Sequence, residues 1–111
     1  MAVLVNGESY SAAEFFAGAL QESGQAAVVG EQTCGKGYSQ QTFALPNGGA
    51  ASISTAEYRT GNGTSFIGTG VVPDRAVALT AEERAALLAQ TLFHDRDPQL
   101  RAALELLAEG N

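Results

Sequence analysis

Thiols and imidazoles are nearly missing from this sequence: Cys34 is its only cysteine and His94 its only histidine. A lone cysteine forms no internal disulfide and brings no second thiol to a zinc site. His, Cys and carboxylate side chains nowhere cluster at ligand spacing, and no glycine-rich phosphate loop occurs, so no metal and no cofactor are expected. Positive charge is scarce too. Six basic residues face twelve acidic ones, for a net charge of -6, and no Lys/Arg cluster could neutralise a row of phosphates, which argues against a nucleic-acid partner. No apolar stretch approaches the ~20 residues a membrane span needs, and the first residues lack the basic region and cleavage site of a signal peptide. The sequence as it stands is therefore expected to hold neither a membrane span nor an export signal.

What remains is the composition of a folded globule: 45% hydrophobic and 16% charged residues without a low-complexity run. Its 111 residues fit one domain, which buries roughly two thirds of its unfolded surface. Val3–Val5 is a short apolar run stopped by the turn signal Asn6-Gly7 and reads as a buried strand. Ser11 and Glu14 match a helix capping box; Phe16, Ala19 and Leu20 recur at helical spacing until Gly24, which predicts a helix from Ala12 to about Ser23. A second apolar run, Ala26–Val29, follows, so strand, helix and strand succeed one another as in a parallel crossover unit of the α/β class. Gln32–Gly37 reads as a loop. Asn47-Gly48-Gly49 predicts a hairpin between Tyr38–Leu45 and Ala51–Tyr58, and after a turn at Gly61-Asn62-Gly63 a short strand at Ser65–Ile67 would complete a β-meander. Thr80 and Glu83 form a second capping box ahead of a Leu87, Leu88, Leu92 stripe. Asp97-Pro98 starts a last helix with Leu100, Ala103, Leu104 and Leu107 as its expected buried face.

Two residues stand where acyl-transfer chemistry would want them. A serine at the first turn of a helix meets free amides and the positive dipole end, both of which favour the oxyanion that develops on attack. Ser11 is in that position, though the same residue is also an ordinary N-cap. The only lysine, Lys36, lies in a loop between Gly35 and Gly37. A lysine acts as a base only where its surroundings disfavour the ammonium, and the flanking glycines would let the backbone bring its amine close; glycines around a lysine equally suit a plain solvated turn.

Together these residues resemble a family. Val3-Leu4-Val5-Asn6-Gly7, Ser9-Tyr10-Ser11-Ala12-Ala13-Glu14, Gly18-Ala19-Leu20-Gln21, Val29-Gly30-Glu31, Thr33 and Gly35-Lys36-Gly37 are similar to the catalytic core of the carboxyl-terminal processing (tail-specific) serine peptidases, and Thr55, Ala56, Tyr58, Gly70, Pro73-Asp74 and the Asp97–Leu107 segment continue the similarity. That family carries its nucleophile at the middle serine of a Ser-Ala-Ser-Ala-Ser-Glu stretch and its general-base lysine 25 positions later, the interval from Ser11 to Lys36 here. The resemblance implies Ser11 as nucleophile, Lys36 as base, Gln40, four residues beyond the lysine, as the group that orients it, and the amide of Ala12 as an oxyanion donor. It also implies a crotonase-like catalytic domain of which this chain is the C-terminal portion, with the upstream half and a PDZ-type domain absent, so that the isolated chain is inactive or nearly so. Polypeptide substrates with unstructured C-terminal tails, an extracytoplasmic location for the full-length protein, and dimerisation or strand exchange at an open sheet edge are further expectations.

This sequence departs from the family's pattern at Ser9, Tyr10, Ala13 and Cys34, the last standing in place of an aromatic before Gly-Lys-Gly; none of these removes a catalytic atom. Two rival readings follow from the residues. A crotonase-like fold can keep its architecture and lose its chemistry, leaving a binding module. A cysteine hydrolase built on Cys34 and His94 is the other, against which His94 reads as a solvated loop histidine and Cys34 as a small apolar substitute. Asp74, after Pro73, is assigned to turn structure rather than catalysis.

Overall fold

Val28 and Val29 are neighbours in sequence, project to opposite faces of one strand, and are both fully buried. A strand covered on both faces is the mark of a parallel sheet between helices, and the computed structural model, which describes residues 1–110, builds that arrangement. In chain order the elements are β1 (Ala2–Val5), α1 (Ala12–Glu22), β2 (Ala27–Gly30), β3 (Tyr38–Ala44), β4 (Ala50–Glu57), β5 (Arg75–Ala76), α2 (Ala81–Leu88), a 3-10 turn (His94–Arg96) and α3 (Pro98–Glu109). The main sheet runs β1-β2-β5, all parallel, with Val3 level with Val28 and Val5 level with Gly30.

Each face of this sheet carries its own core. Val5, Val28 and the partly buried Val3 pack with Ala17 of α1 and with Phe66 and Val71; Val29 packs on the other face with Ala102 and Ala103 of α3, bordered by Ala2, Val77 and Leu106. Burying a valine fully is worth about 1.5–3 kcal/mol, so β2 anchors both layers. β5, only two residues long, was not visible in the sequence pattern. Asp74 just before it extends the sheet: its Oδ2 accepts from Val28 N–H at 2.7 Å, where a further strand's carbonyl would stand. Asp74 is thus structural, with a partner 46 residues away rather than in its own turn.

Four details of the expected pattern are corrected. Ser65–Ile67 forms no strand; Ser65 makes only an isolated bridge to Arg59, so the middle third is the two-stranded hairpin β3-β4 and not a meander. Helix α1 buries Glu14, Ala17 and Gly18 while Phe16 is exposed, because the Phe66 ring occupies the space over Gly18, where a methyl group would lie 2.3 Å from Phe66 Cζ. Helix α3 likewise turns Gln99, Ala102 and Ala103 inward and leaves Leu104 and Leu107 exposed, since the small alanines let it lie close on β1 and β2. Its start is as expected, Asp97 accepting from Gln99 and Leu100 N–H at 2.9 and 3.1 Å. Helix α2 has the expected Thr80–Glu83 capping box but no buried residue, and it ends at Leu88, short of Leu92.

Candidate functional site

The turn that leaves β1 is built by its own side chains. Asn6 Oδ1 accepts from Glu8 N–H at 2.9 Å, and Ser9 Oγ accepts from Asn6 N–H at 3.1 Å. Ser9 is therefore engaged in the turn. Two residues on, Ser11 adopts φ 57°, ψ -122°, the geometry of the second residue of a type II′ turn, and Ala13 N–H closes that turn onto the Tyr10 carbonyl at 3.3 Å. A non-glycine residue costs about 1–3 kcal/mol there. Sharp, strained strand-to-helix turns of this kind present a nucleophile at the head of a helix. Ser11 is half-buried at the helix start, and among the described residues Ala12 N–H donates to no backbone carbonyl.

What holds the strained turn is Glu14. Its fully buried carboxylate accepts four hydrogen bonds. Oε2 takes the N–H of Ser11 at 3.0 Å and of Lys36 at 2.9 Å; Oε1 takes the Thr33 hydroxyl and the N–H of Gly35, both at 2.6 Å. The amides of Ser11 and Lys36 share one oxygen, so the two nitrogens lie no further apart than those two bonds laid end to end. Thr33, itself buried, accepts from Val71 N–H at 2.7 Å and so fastens the cluster to the core. Cys34 N–H adds a bond to the Ser9 carbonyl at 3.0 Å. Gly35 and Gly37 are needed because the loop presses against residues 66–70: a methyl group on Gly35 would meet Gly68, Thr69 and Gly70 backbone at 3.1 Å, and Gly35 adopts φ 86°.

Sequence reasoning treated Glu14 as the acid of a capping box and gave it no role in the site. That box is present, with Ser11 N–H bonded to the Glu14 carboxylate; the three bonds to residues 33–36 come from another loop and leave no local signal. The half-buried Lys36 side chain carries its Nζ 5.5 Å from the ring centroid of Tyr10 and 5.8 Å from that of Tyr38, and makes no ion pair or hydrogen bond among the described residues. Gln40 is exposed on β3, just past a bulge, level with Ser54, and its side chain has no hydrogen-bond partner among the described residues. Cys34 and His94 are both exposed, and no bond links them. No metal-ligating cluster occurs among the described residues, and no helix there is long and apolar enough to cross a membrane.

Comparison with known proteins places the chain in a class. The model of peptidase family S41 matches residues 1–77, and the chain belongs to that family. It is 38% identical over 109 residues to a carboxyl-terminal-processing protease of Picosynechococcus sp., covering 98% of this chain and 25% of that protein. It is 43% identical over 74 residues to the chloroplastic carboxyl-terminal-processing peptidase 2 of Arabidopsis thaliana, covering 67% of this chain and 14% of the other. Among solved structures, a photosystem II D1 C-terminal processing protease superposes with a TM-score of 0.65 at 38% identity, over 69% of this chain and 20% of that one. The chain thus spans a quarter or less of these relatives' lengths.

Proposed function

We propose that this chain carries the Ser-Lys dyad of a serine endopeptidase that cleaves polypeptides near their C-termini, with Ser11 as nucleophile, Lys36 as general base, Gln40 orienting the lysine in the substrate-bound enzyme, and Ala12 N–H as an oxyanion donor. The observation that carries the reading is the shared Glu14 oxygen: one buried acceptor holds the strained Ser11 turn and the Lys36 loop together. In the first step neutral Lys36 Nζ takes the Ser11 proton as Oγ bonds to the substrate carbonyl carbon, and the carbonyl electrons move to the oxygen facing Ala12 N–H. The lysine then returns the proton to the leaving amine as the C–N bond breaks, and water repeats the sequence on the acyl-enzyme.

The chain's share of its relatives' length supports reading it as part of a longer catalytic domain; on our reading it is the C-terminal portion of a crotonase-like domain, completed by upstream segments that bring a second oxyanion donor and a PDZ-type domain for the substrate tail. On this reading the isolated 111 residues turn over little or nothing, because losing one oxyanion donor costs about a hundredfold or more. The unpaired outer edge of β1 leaves room for strand exchange between copies. Bacterial and chloroplastic relatives support an extracytoplasmic or lumenal place of action. The test is labelling of the full-length polypeptide with a serine-directed fluorophosphonate, mapped by mass spectrometry. Label on Ser11, lost in Ser11→Ala and in Lys36→Ala, is the expected result; a folded protein that takes no label would make the chain a binding module instead.

A further inference from the structure

Lys36 is held in an unusual way. A lysine at a polar site normally rests against a carboxylate or a carbonyl, yet among the described residues the Lys36 side chain has neither, and its Nζ lies near aromatic rings from two different segments. The nearby carboxylate of Glu14 is taken up by four donors, three of them backbone amides. Tyr38 opens β3 and is half-buried. Tyr10 immediately precedes Ser11 and keeps 57% of its surface exposed, so burial gives it little reason to stand where it does.

We infer that Tyr10 and Tyr38 are positioning residues that hold Lys36 against their rings and stabilise the ammonium formed when it takes the Ser11 proton. The inference rests on the Ser11–Lys36 reading above. A ring face attracts a cation through its quadrupole and the neutral amine far less. In the enzyme form whose Lys36 is the neutral amine, the attraction is weak before attack, present in the tetrahedral intermediate, and weak again when the proton passes to the leaving nitrogen; where Lys36 is already an ammonium, the rings hold the resting state as well. An interaction made only on the way to the transition state raises kcat and leaves KM unchanged. A carboxylate in the same place would stabilise the ammonium throughout and hold the lysine in its charged form; two rings give a weaker hold and leave the lone pair of the neutral amine free to accept the Ser11 Oγ proton. The rings thus do for this lysine what a buried aspartate does for the histidine of a Ser-His-Asp triad.

Each ring contributes about a two- to thirty-fold rate effect. The experiment is performed on the full-length polypeptide, measuring the rate of fluorophosphonate labelling at Ser11 and kcat and KM on a quenched-fluorescent peptide. Tyr10→Leu and Tyr38→Leu are each expected to slow labelling and lower kcat by that factor with KM little changed, while Tyr10→Phe, which keeps the ring, restores the rate to within about twofold. Replacing Tyr10 by phenylalanines with one, two and three fluorines, which weaken the ring's field without altering its shape, is expected to lower the rate stepwise. A flat fluorine series, or leucine variants that fold and label at the parent rate, would overturn the bracket while leaving the dyad standing. A parent protein in which Ser11 takes no label would sink both. If the leucine variants do not fold, the nearly isosteric fluorine series decides alone.

Discussion

Glu14→Gln replaces one acceptor oxygen by an NH2 group at the point where two loops are tied together. Whichever way the amide turns, its nitrogen faces two donors: Ser11 and Lys36 N–H on one side, the Thr33 hydroxyl and Gly35 N–H on the other. The second arrangement costs less, because Thr33 Oγ1 can rotate its proton away and accept, leaving Gly35 N–H without its acceptor and the Thr33 hydroxyl proton without the carboxylate. An orphaned buried donor costs about 1–3 kcal/mol, and the remaining bonds lose the strengthening a carboxylate gives them. The expected loss is about 2–4 kcal/mol of the 5–15 that holds a typical domain together, read as a lower urea midpoint at unchanged slope. Labelling at Ser11 should suffer less, since the surviving oxygen still joins the amides of Ser11 and Lys36. Glu14→Ala removes that tie, and a misplacement of about 1 Å at a reacting group costs on the order of a hundredfold. A glutamine variant within about 0.5 kcal/mol of the parent, or an alanine variant labelled at the parent rate, would refute the argument that this carboxylate sets the site.

Two further substitutions probe the frame around it. Gly18→Ala should gain about 1 kcal/mol of helix propensity, but the new methyl would lie 2.3 Å from Phe66 Cζ, and overpacking costs about 1–3 kcal/mol. Net destabilisation is expected, relieved in the double variant with Phe66→Leu; urea denaturation of the four proteins measures the coupling, and a stabilising Gly18→Ala would show that the Phe66 contact is not tight. Glu31 is held below the usual carboxylate range by its hydrogen bonds with Arg84 at 2.8 and 2.9 Å, opposed by partial burial and helped by Leu79 N–H. A lowered folded-state value means that this contribution is complete above the unfolded value near 4.5 and disappears as pH falls through the folded one. With Arg84 exposed to solvent the gain is small, so the stability gap between the parent and Glu31→Gln seen at neutral pH should close at acid pH; a gap that persists there would assign it to packing.

The order of elements could be read from residues that act locally. Asp97-Pro98, the Thr80–Glu83 box and Asn47-Gly48-Gly49 each constrain only the backbone beside them, and each sits where the structure starts a helix or turns a strand. Faces were less legible, because a helix's inward side is decided by what it meets. Leu104 and Leu107 form a stripe on α3 by spacing alone, yet Ala102 and Ala103 face the sheet because small side chains allow the closer approach. Phe66 was assigned to a strand on local composition, whereas its place is fixed by a glycine 48 residues earlier that leaves room for its ring. For the site, the 25-residue interval was in the sequence, but the carboxylate joining its two ends looked like a helix cap.

That interval has a structural origin in the sheet. Parallel pairing sets Ala2 beside Ala27, Val3 beside Val28 and Val5 beside Gly30, an offset of 25 residues throughout, since 27 minus 2 and 30 minus 5 both equal the 36 minus 11 that separates lysine from serine. Ser11 and Lys36 each stand six residues beyond a level pair of strand ends, so the two loops leave the sheet side by side and meet after equal lengths of chain. The offset is the length of one crossover: eleven helical residues of α1 descend about 16 Å at 1.5 Å each, and a strand climbs that distance in about five residues at 3.3 Å each, the remainder forming turns. An insertion in the turn between α1 and β2 can be absorbed while the register holds. One residue added between Val5 and Ser11, or between Gly30 and Lys36, shifts one loop against the other and breaks the shared hold of Glu14, which makes the lengths of these two loops, more than the length of the helix between them, the constraint on the site.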